Sequence, residues 1–307
     1  MLPLPELDFR RTPVTLFVAA VAVAIELVCT YDPARREIYR VVWKLEMLSP
    51  VWSGEVWRPI TTTILHGGVL HVAFNVYWLL TFGRVLEPYF GSARYAGVLL
   101  LLACCATMPA FLLNNLTTEL DAQRNGVGLS GVIYGMFGIL MIGQNHRRDF
   151  YAACPPELSQ FFIAWFFFCF ALTYLNIWPI DNYAHAAGWV FGMLLGNALF
   201  ATRQLAVWRG AAALFAVVSI VSIVYAPGHP LYEKYRQRMA TLRQAERLIE
   251  ELENRPLPIV VTLPDAEPEQ PTAEPDDNTK VEGGDAEVPE ANVPQLTADD
   301  ELTETLP

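Results

Sequence analysis

Six stretches of about twenty mostly apolar residues, joined by polar links, constrain this chain more than any other feature. A helix needs about 20 such residues to cross a hydrocarbon core roughly 30 Å thick. Lipid offers no partner to an unpaired backbone N–H or C=O, so the backbone bonds must close within the protein. The runs lie at 13–30, 67–86, 95–114, 129–145, 159–177 and 183–201, here spans 1 to 6. A further run, "GAAALFAVVSIVSIVYA" at 210–226, follows a short basic link. The expectation is an all-α polytopic transmembrane bundle, a multi-pass integral membrane protein of the cell (plasma or inner) membrane. With 53% hydrophobic residues, the length of 307 residues counts spans rather than soluble domains.

The segments outside the spans differ in kind. The N-terminus sets Glu6 and Asp8 beside Arg10 and Arg11 and shows no small-residue cleavage site, which reads as a retained first span. The first loop, 31–66, is rich in Trp and Arg, residues that anchor at the membrane interface. In 231–255, Tyr235, Met239, Leu242, Ala245, Ile249 and Leu252 recur at helical spacing, an amphipathic helix suited to self-association, a partner or the interface. From Pro256 the composition turns to Pro, Glu, Asp and Thr, and 256–307 reads as a disordered acidic tail. The expected organisation is therefore a six-span core over 1–201, an additional C-terminal span within 202–230, the amphipathic helix 231–255, and the tail.

Charge excludes some functions and orients the rest. The last 52 residues hold fourteen Asp/Glu against one Lys, a charge of −13; with −11 overall, the remainder carries +2. No basic patch suggests nucleic acid. Five cysteines lie mostly in apolar runs without ligand spacing, so neither a disulfide framework nor a metal site is expected, and nothing in the sequence calls for an organic cofactor. Basic residues favour an inside N-terminus, with Arg10, Arg11, Arg84, Arg94, Arg147 and Arg148 on the inner side. A seventh span would then place the basic stretch from Lys234 outside, against the same rule.

Polar groups inside spans are costly and mark function. Here they are few: His71 and Asn75 early in span 2, Ser130 at the start of span 4, and His185 early in span 6. Spans 2, 4 and 6 begin on one side of the membrane, so all four residues lie at similar depth. Gly131 and Gly135 in span 4 and Gly188, Gly192 and Gly196 in span 6 have the spacing that lets helix backbones approach closely. Their approach brings Ser130 toward His185, a nucleophile and its general base. His71 and Asn75, four apart, share a helical face and can donate to a developing oxyanion. Each motif also has a plain structural reading, since Ser and Gly are common at membrane helix contacts.

Four motifs together resemble the rhomboid family of intramembrane serine proteases. "GLSG" at 128–131 is similar to its GxSG nucleophile motif, "HGGVLHVAFN" at 66–75 to its HxxxxHxxxN, and "AHAAGWVFG" at 184–192 to its AHxxGxxxG. "WR" at 57–58 is similar to the Trp-Arg pair of its first loop. The resemblance implies a six-helix core, with Ser130 as nucleophile and His185 as base in a dyad without a carboxylate. It also implies an oxyanion hole from His71, Asn75 and the Ser130 backbone N–H, and Gly128 in the tight loop entering span 4. Tyr134 would pack on the His185 ring, Gly188 and Gly192 would support the helix contact, and Arg58 and Glu87 would fix the first loop and the far end of span 2. The Phe-rich span 5 and the link near Trp178 would form a mobile gate, and the substrates would be membrane proteins cut in or near a transmembrane segment.

Alternatives remain at this point. Asp181, four residues before His185, reads as a helix cap or as a third catalytic group. A rhomboid-like protein that only binds client spans is the main competitor. A transporter using His71 and His185 as proton sites would need acidic partners within spans 2 and 6 and repeated halves, which those spans lack.

Overall fold

The computed structural model describes residues 8–32, 49–116 and 126–253. These residues belong to the compact unit Met1–Asn254, and the acidic tail 256–307 lies outside them. All regular structure among them is helical: α1 Pro13–Tyr31, α2 Arg58–Thr61, α3 Val69–Phe90, α4 Ser92–Asn114 and α5 Ser130–Gly143. Then follow α6 Arg148–Ala153, α7 Pro156–Tyr174, α8 Asn182–Phe200, α9 Leu205–Val224 and α10 Pro230–Glu253. A 3-10 turn at Ser49–Ser53 precedes α2.

Five of the described helices, α1, α3, α4, α7 and α9, are long and apolar enough to cross a membrane. The two that carry Ser130 and His185, spans 4 and 6 of the sequence, are not among them. Helix α5 has 14 residues, about 21 Å of rise, too short for a full core. Helix α8 is long enough, but it holds Asn182, His185 and Asn197 and three glycines. Both lie in the interior of the bundle, where α5 is apolar but short and α8 can keep its polar groups among protein. Eleven of the fourteen α5 residues are buried.

Helix α1 shows how a polar group is accommodated. Pro13 starts it with a preset φ and no N–H to leave orphaned. The next two N–H groups, of Val14 and Thr15, donate to the Glu87 carboxylate at 2.9 and 2.8 Å, and the Thr15 hydroxyl donates to it at 2.7 Å. Glu87 is fully buried near the end of α3, so a carboxylate on one helix caps the N-terminus of another. That contact ties the start of span 1 to the far end of span 2. One residue, Gly91 at φ +76°, turns α3 into α4.

The α5–α8 contact is the centre of the fold. A Cβ added at Gly188 would overlap the carbonyl oxygen of Gly131, and one at Gly192 that of Gly135. At Gly138 it would meet Trp189 and Met193 backbone at 2.7 and 2.8 Å. The paired positions rise together along both helices, so α5 and α8 run parallel with their backbones in contact. Close packing of this kind is what holds helices together where water does not drive association.

Helix α9 packs on α4 and α8 and ends at the same end of the bundle as Ser130, where Trp52 Nε1 donates to the Ser222 carbonyl at 3.0 Å. Helix α10 starts there. His229 Nε2 donates to the Leu112 carbonyl at 2.9 Å, and the Trp52 ring lies 5.1 Å from Tyr232 and 5.9 Å from Tyr235. The amphipathic segment thus begins docked on the first loop, whereas Leu242, Leu248 and Ile249 farther along are exposed.

Candidate active site

Ser130 is the first residue of α5, and the loop before it is strapped in place. Gly128 sits at φ +109°, a left-handed conformation that favours glycine. A side chain there would also press on the His71 ring at 2.9–3.0 Å. The Gly128 N–H donates to the Thr62 carbonyl at 3.2 Å, and the Thr62 hydroxyl donates to the Gly126 carbonyl at 2.8 Å. His66 adds a third strap. Its Nδ1, 2.9 Å from the Ile64 carbonyl, must carry the proton, which leaves Nε2 to accept from the Leu129 N–H at 3.4 Å. Burial and the neighbouring His71 hold His66 well below its ordinary pKa, so the ring stays neutral and this tautomer is available.

The seam brings the hydroxyl to the imidazole. Gly131 faces Ala184 across the α5–α8 contact, and one residue on each helix away, Ser130 Oγ lies 2.8 Å from His185 Nε2. His185 is 5% exposed, and its ring stacks on Tyr134 at 4.6 Å with 28° between the planes. Tyr134 is itself buried against Phe162 and Phe166 of α7, so the imidazole rests on an aromatic wall. With Nε2 accepting from the serine, Nδ1 carries the other proton.

No carboxylate orients that proton. His185 Nδ1 has no hydrogen-bond partner among the described residues. Asp181 Oδ1 instead accepts from the Ala184 N–H at 3.1 Å and from Asn114 Nδ2 at 3.0 Å. It is the N-cap of α8, tied to the end of α4. Burial pushes its carboxyl above the usual carboxylate range, opposed by the hydrogen bonds from Asn114 and the Ala184 backbone. The cap reading of Asp181 matches this geometry and the third-catalytic-group reading does not.

His71 and Asn75 sit on the first turns of α3. His71 Nδ1 accepts from the Gly67 N–H at 3.2 Å, which assigns the proton to Nε2, the nitrogen that faces Gly128. Asn75, 1% exposed, gives one amide N–H to the His71 carbonyl at 2.9 Å and keeps a second donor. His71 therefore presents an N–H beside the loop that ends in Ser130, while Asn75 lies one turn deeper. A cavity of about 20 Å³ beside Ser130 is lined by Gly126, Gly128, Thr107, Phe111 and Ala184, room for one small group.

The remaining sequence-named residues lie farther out. Arg58, 4% exposed, pairs with Glu55 at 2.6 Å and anchors the first-loop turn that leads into α2. Glu87 sits at the opposite end of α3 from His71. Helix α7 buries Phe162 and Phe166 but leaves Phe161, Phe167, Phe168 and Phe170 exposed. His66, Thr62 and Asn114 carry no role in the sequence reading. His66 at least stands in the motif that ends at Asn75, five residues before His71, while nothing local marks Thr62 or Asn114. Among the described residues no group of His, Cys, Asp and Glu is placed to hold a metal ion.

Comparison with known proteins adds an independent line. Residues 53–202 match the family model described as the Rhomboid domain. The chain is 28% identical over 204 residues to the rhomboid protease GluP of Bacillus subtilis, covering 66% of this chain and 37% of that protein. It is 27% identical over 147 residues to the rhomboid protease GlpG of Haemophilus influenzae, covering 47% of this chain and 70% of that protein. With YdcA of Bacillus subtilis, also named for this group, identity is 31% over 145 residues, covering 47% of this chain and 68% of that protein. The matched stretch contains α2 to α8 and with them every residue of the site.

Proposed function

The chain belongs to the rhomboid family and is a multi-pass integral membrane protein, and on that premise we propose that it is an intramembrane serine endopeptidase working through Ser130 and His185. The observation that carries this reading is the 2.8 Å contact between Ser130 Oγ and His185 Nε2, made by two helices whose glycines hold them together.

The chemistry follows from the geometry. His185 Nε2 takes the Ser130 proton as Oγ attacks a substrate carbonyl carbon, and the charge develops on the carbonyl oxygen. The Ser130 backbone N–H, at the start of α5 and without a backbone partner among the described residues, and the Nε2–H of His71 are the donors for that oxyanion, with Asn75 supplying its second amide proton. His185 returns the proton to the leaving amine, the peptide bond breaks, and an acyl ester remains on Ser130. Water then attacks the ester with His185 again as base, and the acid product leaves. Tyr134 holds the imidazole by stacking, in place of a carboxylate.

Substrates are membrane proteins with a transmembrane segment that can unwind near the cut, because a helix keeps its carbonyls bonded internally. The exposed flank of α7 and the link through Ile177 and Trp178 is the side by which such a segment enters. We take α9 as a seventh span beyond the six-helix core, with α10 on the Ser130 side of the membrane.

The test is cleavage of a fluorogenic transmembrane substrate by the purified full chain in detergent or proteoliposomes. Wild type cleaves, and Ser130→Ala and His185→Ala each lose about a thousandfold or more. Cleavage that survives Ser130→Ala overturns the assignment, and equal inactivity of wild type and both variants favours client binding without catalysis.

A further inference from the structure

At the end of the bundle opposite Ser130, three arginines from three segments converge on one cavity. Its volume is about 150 Å³, and Arg11, Arg84, Arg147, Asp149, Pro88 and Tyr89 line it. Arg11 precedes α1, Arg84 lies on α3, and Arg147 lies in the link between α5 and α6. The site therefore forms only when α1, α3 and the end of α5 are assembled.

The three cations are unevenly neutralised. Arg147 bonds Asp149 through Nε and Nη2 at 3.0 and 2.9 Å, and its guanidinium lies 4.8 Å over the Tyr89 ring and 5.5 Å over that of Phe150. These contacts orient it, and Nη1 has no hydrogen-bond partner among the described residues. Arg84 gives only Nε, to the Leu80 carbonyl at 3.2 Å. Neither Arg84 nor Arg11 has an ion pair among the described residues. The cavity thus holds three guanidinium groups against one carboxylate, a net charge of +2. Like charges gathered around a cavity repel, and an anion bound among them relieves that repulsion. Planar forked donors match the oxygens of a phosphate, as they do those of a carboxylate, and a net charge of +2 favours the phosphate, which can carry more than one negative charge.

We propose that Arg11, Arg84 and Arg147 form a phosphate-binding site at this membrane surface. The cavity is about tenfold larger than the roughly 15 Å³ needed to hold one water, enough for a phosphate group. Two sources share this chemistry: the headgroup of an anionic phospholipid and a free phosphate. Basic pockets between transmembrane helices suit the first, since each Arg near an anionic surface adds roughly fivefold to affinity. The site stands apart from the catalytic residues, so its failure and a failure of the protease reading are distinguishable.

The test is native mass spectrometry of the full chain released from detergent, titrated with phosphatidylglycerol or phosphatidylcholine of identical acyl chains. The expected result is one phosphatidylglycerol held about thirtyfold more tightly than phosphatidylcholine, from two uncompensated charges. Arg11→Gln/Arg84→Gln removes that preference, and Arg148→Gln, whose residue does not line the cavity, leaves it. Asp149→Asn raises the net charge to about +3 and tightens binding roughly fivefold; it decides the matter if the double variant does not fold. Inorganic phosphate at millimolar concentration serves as the second arm. Competition by it assigns the site to a soluble phosphate, and lack of competition assigns it to the lipid. Equal retention of both lipids by wild type with no effect of phosphate overturns the proposal, as does an equal loss in Arg148→Gln.

Discussion

Helices α5 and α7 are both apolar and both touch Tyr134 or carry it, yet they are held in opposite ways. Helix α5 meets α8 through glycines, backbone against backbone, with nothing soft between them. Helix α7 meets the bundle through the rings of Phe162 and Phe166 and turns four other phenylalanines outward. A seam of backbones has no rotamers to adjust, whereas a seam of rings can slide. The Ser130–His185 pair proposed to react lies on the rigid contact, and the loose one stands beside it, on the side proposed for substrate entry. On the proposed function, rigidity at the dyad and compliance at its entrance are thus written in two residue types, Gly and Phe.

The largest expected effect breaks the rigid side. In Gly188→Ala the new methyl overlaps the Gly131 carbonyl, so α5 and α8 must separate and Ser130 leaves His185. Cleavage falls by roughly a thousandfold, and the chain loses about 3 kcal/mol or more of stability, read as a lower melting temperature. Gly97→Ala, where the added Cβ meets nothing within 4 Å, leaves cleavage unchanged and stability unchanged or raised by up to about 1 kcal/mol, and serves as the control.

The next effect compares the two faces of α7. Phe162→Ala empties a fully packed position and costs roughly 3 kcal/mol, while Phe167→Ala, on the outer face at 64% exposure, changes stability by less than about 0.5 kcal/mol. Equal losses in thermal unfolding contradict the contrast between a packed and an outward face. Tyr134→Ala removes the ring under His185 and lowers the cleavage rate about tenfold. Tyr134→Phe keeps the stack and stays within about twofold, since the phenol makes only a 3.3 Å bond to the Phe162 carbonyl.

The smallest effect is the most informative about mechanism. Asp181→Asn retains a good helix cap and keeps the rate within about threefold. An acid that oriented His185 would instead cost about ten-thousandfold on the same substitution. Steady-state rates of the two proteins separate these outcomes directly.

Much of this arrangement is visible in the order of residues. Glycines four apart in two segments announce a close contact, and span parity puts His71, Ser130 and His185 at one depth. Both follow from local periodicity, which a single sequence displays. Long-range hydrogen bonds leave no such trace. Nothing near Asn114 indicates that it reaches Asp181, and nothing near Trp52 indicates that it meets Ser222, His229 and Tyr232. His66 lies in a quoted motif, but its function as a strap on Leu129 depends on where a distant loop returns. The arginine cavity escapes notice for the same reason, being assembled from residues 11, 84 and 147.

The most direct measurement is labelling of the intact protein with a fluorophosphonate, followed by mapping of the adduct by mass spectrometry. An activated serine reacts, while a serine that merely packs helices does not. The expected result is a single adduct on Ser130 that disappears in His185→Ala and persists in Asp181→Asn. An unlabelled Ser130 in folded wild-type protein, or equal labelling in His185→Ala, contradicts the Ser130–His185 dyad.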